Sequence, residues 1–314
     1  MKPQLAEDYI ESLVQYPCFA QVKIDGVRGV NLSGVMTGRS LDTHKGVGLT
    51  EYFSKPEFLG LDGEFTLGDK PNSPDRLCSL TTGAMSRFRG VTEMPDVYFW
   101  VFDLILPETV NLPYSERYAL LKEKVKKLTD PRIRLVPYTV IHNVEQLRAI
   151  ISEHASENYE GTILRNPAAK YKEGRSTKKL QQLVRVKPWS DAEILVTGIT
   201  EGDENQNEAK INTLGRTERS SAQGGKVPNG RVGSIQGTML ADFFEPVTGQ
   251  LLFPKDLPIT VSKGEMSHAE AAHYFENPDE IVGHVIKFKH LPFGVKDKPR
   301  FGLYMAHRAK EDMS

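Results

Sequence analysis

The chain has 314 residues, 39% of them apolar and 26% charged, with a formal net charge of −1; this suits a globular protein of two domains and excludes a disordered or fibrous chain. No apolar run approaches the ~18 residues of a membrane span, and Met1-Lys2-Pro3-Gln4 lacks the apolar core of a signal peptide, so a cytoplasmic protein with no membrane partner is expected, its Cys18 and Cys78 reduced. Two cysteines make no four-cysteine zinc site, and a net charge near zero leaves any nucleic-acid affinity to local patches.

The first informative element is the alternating stretch Ala20-Gln21-Val22-Lys23-Ile24. In a strand, successive side chains point to opposite faces, so Ala20, Val22 and Ile24 turn to a core while Gln21 and Lys23 project from the other side. Asp25-Gly26 reads as a turn, and Arg28 follows at once. A lysine at a strand end beside charged partners is what a nucleophilic amine requires. The same alternation in Leu61-Asp62-Gly63-Glu64-Phe65 puts Asp62 and Glu64 on one face. Tyr98-Phe99-Trp100-Val101-Phe102 reads as a core strand. Tyr118, Leu121, Val125 and Leu128 recur at helical spacing after Pro113, and Asn143 with Gln146 caps a helix through Leu147, Ile150 and Ile151. In Val184-Arg185-Val186-Lys187 the valines face inward, which aims Arg185 and Lys187 together at one place.

The character changes at Pro188-Trp189-Ser190-Asp191, giving domains 1–188 and 189–314. Beyond it, Glu193 to Thr200 reads as a strand, while the polar, Gly/Asn-rich span Glu201 to Arg231 shows no apolar period and reads as a long loop or flexible insertion. Strand patterns resume at Gly233 to Phe243, Pro258 to Ser262 and His284 to His290, with a short helix opened by Ser267-x-x-Glu270. Two stretches are locally basic. Arg165 to Lys187 carries eight basic residues against Glu173, and Lys287 to Arg308 carries six against Asp297; such patches suit phosphate contacts. The basic stretch Arg76 to Arg89 is a further candidate for nucleic-acid contact, or else a simple surface loop.

Lys23-Ile24-Asp25-Gly26-Val27-Arg28 matches the K-x-D-G-x-R signature of covalent nucleotidyltransferases. Leu61–Phe65, Val101–Leu104, Glu160-Gly161-Thr162-Ile163-Leu164-Arg165 and Val184–Pro188 resemble four further motifs of those enzymes, in their order. The chain resembles the small ATP-dependent DNA ligases of bacteriophages. The resemblance implies an α+β chain: a nucleotidyltransferase domain (ATP-grasp-like, antiparallel sheets with helices) followed by an OB-fold β-barrel. It implies nick sealing in duplex DNA by a monomer, in the host cytoplasm if phage-encoded, with ATP leaving AMP on Lys23 and Mg²⁺ assisting.

Residue by residue, the resemblance makes Lys23 the nucleophile, with Asp25, Arg28 and Lys187 catalytic beside it. Gln21, Arg28, Arg39, Glu64, Phe102, Arg185, Lys187 and Arg308 would bind the nucleotide, with Phe102 stacking on the base and Glu64 contacting the ribose. Glu160 and Asp25 would serve the metal, and Lys310 would follow Arg308 in orienting pyrophosphate. An unperturbed lysine, with a pKa near ~10.4, is almost wholly protonated at neutral pH, so nearby cations (Arg28, Arg185, Lys187) or a metal must ease deprotonation.

Three positions depart from the pattern. Gln21 replaces a glutamate that accepts a hydrogen bond from the adenine amino group, yet keeps a carbonyl acceptor. Arg165 and Arg185 stand where lysines are usual, a fork in place of a point charge. An mRNA capping guanylyltransferase and an RNA ligase share the lysine chemistry, and an OB-type binding protein with a relict pocket is the non-enzymatic alternative.

Overall fold

In a computed structural model of the protein, residues 1–72, 77–90, 93–187, 189–244, 249–291 and 298–308 are described. Arg76, Pro188, Lys296, Asp297 and Lys310 lie outside them, and of Arg300 only the backbone is included. The chain divides into two compact units, Met1–Lys187 and Pro188–Ser314.

The first unit holds two five-stranded sheets. In one, the strands run Glu7–Asp8, Leu183–Val186, Gly161–Arg165, Cys18–Lys23 and Thr139–Ile141; in the other, Met36–Thr37, Val27–Asn31, Leu61–Leu67, Val97–Leu104 and Ile133–Leu135. Pairing is antiparallel except for Glu7–Asp8 and Ile133–Leu135, each parallel to its neighbour. The aromatic strand alternates from Val97 to Phe102, before a register shift at Asp103: Val97, Phe99 and Val101 are buried, while Tyr98, Trp100 and Phe102 are less so. Phe99 stacks on Phe65 with ring centroids 4.4 Å apart, and Phe53 packs edge-on to both. Burying each such ring contributes on the order of 1.5–3 kcal/mol. Gly63 lets the strands close over this cluster, since a Cβ there would lie 2.4 Å from the Trp100 carbonyl oxygen and 2.8 Å from the Phe99 ring.

The helix expected after Pro113 spans Tyr114–Lys127, and its buried stripe is Tyr114, Arg117, Tyr118 and Leu121. An arginine therefore occupies a core position. Arg117 is 1% exposed and grips Asp103 with two bonds, at 2.9 and 3.0 Å, while donating to the Leu112 and Ala169 carbonyls. The Val144–Ser156 helix is capped by Asn143, whose side chain accepts from the Gln146 amide; the return bond from Gln146 reaches the His142 amide, one residue earlier than a reciprocal box would place it.

The second unit is a closed five-stranded barrel ordered Ser190–Asn205, Lys226–Met239, Pro258–Ser262, Arg300–His307, Val285–Leu291. The helix His268–Glu276 falls between the third and fourth strands in sequence, and Ser267 and Glu270 form the expected capping box. The span 201–231 is not a loop. The first two barrel strands continue as a paired ribbon to Asn205↔Lys226, and the tip carries a second hairpin, Ala209–Ile211 with Thr217–Arg219. Both faces of this tip are exposed, so no apolar period marks it. Register shifts at Val196/Gly198, Thr200/Glu201 and Glu201/Asp203 break the alternation further down.

Candidate active site

The two sheets of the first unit contribute to one cavity of about 620 Å³. Gln21, Lys23, Arg28, Arg39, Glu64, Phe102 and Arg185, all singled out from the sequence, line it. Register explains the convergence. Gln21, Ile163, Arg185 and Asp8 lie opposite one another across four adjacent strands, forming one row on one face. Val184 and Val186 are buried on the opposite face as expected. On the second sheet Arg28 sits directly across from Glu64.

Lys23 closes its strand opposite Gly161, and its ammonium contacts the Glu160 carboxylate. The other oxygen of Glu160 accepts from Lys187 at 2.7 Å, so one carboxylate, 8% exposed, holds both lysines. Burial pushes the Glu160 carboxyl up, but Lys23 and Lys187 outweigh burial and hold it below the usual range. Gly26 makes the turn possible: a Cβ there would fall 2.3 Å from the Phe65 carbonyl oxygen and 2.6 Å from the Glu64 side chain.

Arg28 is fixed by a two-point bond to Asp62, at 2.6 and 2.7 Å. Asp62 and Glu64 share a face as predicted but differ in role: Asp62 is buried under Arg28, whereas Glu64 lines the cavity. Withdrawal from water pushes the Glu64 carboxyl up to about 7. The Phe102 ring lies 4.8 Å from the Arg28 guanidinium and 5.1 Å from that of Arg165. Arg185 bonds the Asp8 carboxylate at 2.8 Å, which draws Asp8 below its ordinary range.

The sequence placed Arg165 and Asp103 inside motifs without giving either a role, and it did not mark Asp8. Arg165 is buried against Gln21 and Asp103, Asp103 joins Arg165 to Arg117, and Asp8 holds Arg185. Burial of Arg165 and Asp103 needs partners from distant segments, so no local pattern announces it. Asp8 lies on a two-residue strand, too short to show a period. Arg308 belongs to the second unit, where it bonds Glu193 at 2.6 Å.

Among the described residues no group of three or more His, Cys, Asp or Glu stands ready to hold a metal. Mg²⁺ needs fewer, since it takes one or two carboxylates and completes its shell with water and substrate phosphates. Glu160 would supply one such carboxylate on release of its two oxygens from Lys23 and Lys187.

A lysine at a strand end, gripped by a buried acid, faces cations across the cavity. Residues 3–187 match the family model for the ATP dependent DNA ligase domain, and the chain belongs to that family. A DNA ligase of African swine fever virus is 29% identical over 143 residues, which are 45% of this chain and 32% of that protein. That match takes in about a third of the relative's length. Among solved structures, Chlorella virus DNA ligase-adenylate matches 99% of both chains with a TM-score of 0.52 and 23% identity. A Lig E DNA ligase matches 98% of this chain and 99% of its own with a TM-score of 0.65 and 19% identity. These two likenesses show the α+β fold with its additional C-terminal domain.

Proposed function

We propose that the protein is an ATP-dependent DNA ligase that seals nicks in duplex DNA, with 1–188 as the nucleotidyltransferase domain and 189–314 as an OB-fold domain. The observation that carries this reading is that Lys23 lines a cavity with Arg28, Arg39 and Arg185 while sharing the Glu160 carboxylate with Lys187. The Lys23 amine, once deprotonated, attacks the α-phosphorus of ATP. The N–P bond forms as the α–β bridging P–O bond breaks, and pyrophosphate leaves. AMP then passes to the 5′-phosphate of a nick, regenerating the lysine, and the neighbouring 3′-hydroxyl displaces AMP as the new phosphodiester forms.

Arg185, held by Asp8, and Lys187, held by Glu160, are the cations placed to bear phosphate charge through these transfers. Glu64 serves as acceptor for a ribose hydroxyl, Phe102 as the face for the base, and Arg39 and Arg308 as further phosphate contacts. Glu160 and Asp25 would hold Mg²⁺, which would supply neutralisation of phosphate charge. The five-stranded barrel order with its interposed helix supports the OB reading, and two basic stretches support DNA as the substrate. Among the described residues no helix is long and apolar enough to cross a membrane. We take the protein to be a monomer of the cytoplasm, and of a host's if a phage encodes it.

Covalent labelling with α-³²P-ATP and, in parallel, α-³²P-GTP tests the reading, with Lys23→Ala as control. Label from ATP that is absent in the variant and discharged by nicked DNA with sealing is expected. Label from GTP alone would move the protein to the capping class.

A further inference from the structure

At the aromatic side of the cavity, the acceptors that could read a purine amino group are already occupied. Gln21 is 2% exposed, and its Oε1 accepts from Arg165 Nε at 3.0 Å. The Tyr114 hydroxyl, sharing its proton with the Phe102 carbonyl, stands 3.1 Å from the same oxygen. A guanidinium only donates, so the Gln21 atom facing Arg165 must be the oxygen, and the amide cannot be turned over. Its Nε2 donates to the Val136 carbonyl at 3.1 Å, and that carbonyl also accepts from the Tyr118 hydroxyl at 2.8 Å. Arg165 thus holds one lone pair of the Gln21 oxygen and the single Tyr114 proton is divided between the other and the Phe102 carbonyl, while the Val136 carbonyl has a donor on each of its lone pairs. What remains is the second N–H of the Gln21 amide.

Arg165 is itself anchored. Its Nη1 bonds Asp103 at 3.2 Å, and its guanidinium lies over the rings of Tyr114 and Phe102, 4.5 and 5.1 Å from their centres. Asp103 is shared with Arg117. A lysine in this place would offer a point charge without the fork that reaches Gln21 and Asp103 together.

We infer that Arg165 is a positioning residue for nucleotide selection: by holding the Gln21 carbonyl, it leaves the amide able only to donate to a nucleobase. The 6-amino group of adenine gains nothing from Gln21, and a purine nucleotide lacking that group is accepted as readily at this position. This rests on the nucleotidyltransferase reading of the cavity.

The test is self-labelling at Lys23 with α-labelled ATP and with α-labelled purine riboside triphosphate, which lacks the amino group, comparing kcat/KM. In the wild-type protein and in Gln21→Leu the ratio of the two is expected to be the same. Arg165→Met, which leaves Asp103 paired with Arg117, frees the carbonyl and raises the preference for ATP about three- to tenfold, the worth of one hydrogen bond. Adding Gln21→Leu to that variant removes the gain. Arg165→Lys, a milder change, shifts the ratio in the same direction. A preference for ATP that Gln21→Leu abolishes in the otherwise wild-type protein would overturn the inference, as would a ratio unmoved in both folded Arg165 variants. A wild-type protein labelled by neither nucleotide would overturn the nucleotidyltransferase reading itself, and the inference with it.

Discussion

Lys187 Nζ lies 2.7 Å from Glu160 Oε1, and the opposite oxygen of the same carboxylate contacts Lys23. One buried acid therefore sets the position of both amines. Glu160→Gln removes the charge that holds them, and self-labelling with ATP is expected to fall by about a hundredfold or more, the scale of losing one positioned electrostatic partner. The pH dependence follows from the direction of its shift. A carboxyl held below its unfolded value contributes stability that is present above the ordinary carboxylate range and lost as pH falls through its folded value. Thermal melting from pH 7 to pH 3 should show a component that Glu160→Gln lacks.

Glu64 has the opposite sign. Its carboxyl is raised from 4.5 to about 7 by withdrawal from water, so the folded state favours the protonated form. The stability this contributes is fully present below about pH 4.5 and is lost as pH rises through 7. In melting curves without nucleotide, Glu64→Gln should gain stability relative to the wild type across that window. A difference that stays constant with pH would refute the assignment.

Asp103 accepts from Arg117 and Arg165, both buried. Asp103→Ala strands two guanidinium groups away from water, and denaturant titration should show a loss of at least about 3–5 kcal/mol, the cost of breaking one buried pair. Asp8→Ala is the contrast. Its carboxylate is 67% exposed, so loss of the Arg185 pair should change stability by less than about 1 kcal/mol.

Arg185→Ala removes a cavity-lining cation. Loss of one charge-assisted bond to phosphate should raise the KM for ATP about ten- to a hundredfold, read by single-turnover labelling. An unchanged KM would place the α-phosphate elsewhere.

Gly26→Ala tests the turn. Its Cβ meets the Phe65 backbone, which cannot swing away as a side-chain tip could. Labelling at Lys23 is expected to be lost while the barrel unit, with its separate core, stays folded by near-UV circular dichroism.

Local periodicity by itself determined most of the strands that carry the site and the helices Tyr114–Lys127 and Val144–Ser156, but not the helix Leu77–Arg87, whose Cys78, Thr82, Met85 and Ser86 line the cavity. Side-chain alternation is a property of the extended backbone, so the placement of Gln21 and Lys23, of Asp62 and Glu64, and of Arg185 between buried valines could be read directly from the residues. The same logic failed for the 201–231 ribbon, because a strand exposed on both faces carries no apolar signal and bulges reset its phase. Only the tertiary structure decided the partnerships. Gln21 and Arg165 are 144 residues apart, Lys23 and Glu160 are 137, and the bonds between them depend on strand order and register. Phe102 illustrates both levels: alternation sets it opposite Phe99, but only the packing of two sheets around one cavity makes that opposite face a site rather than solvent.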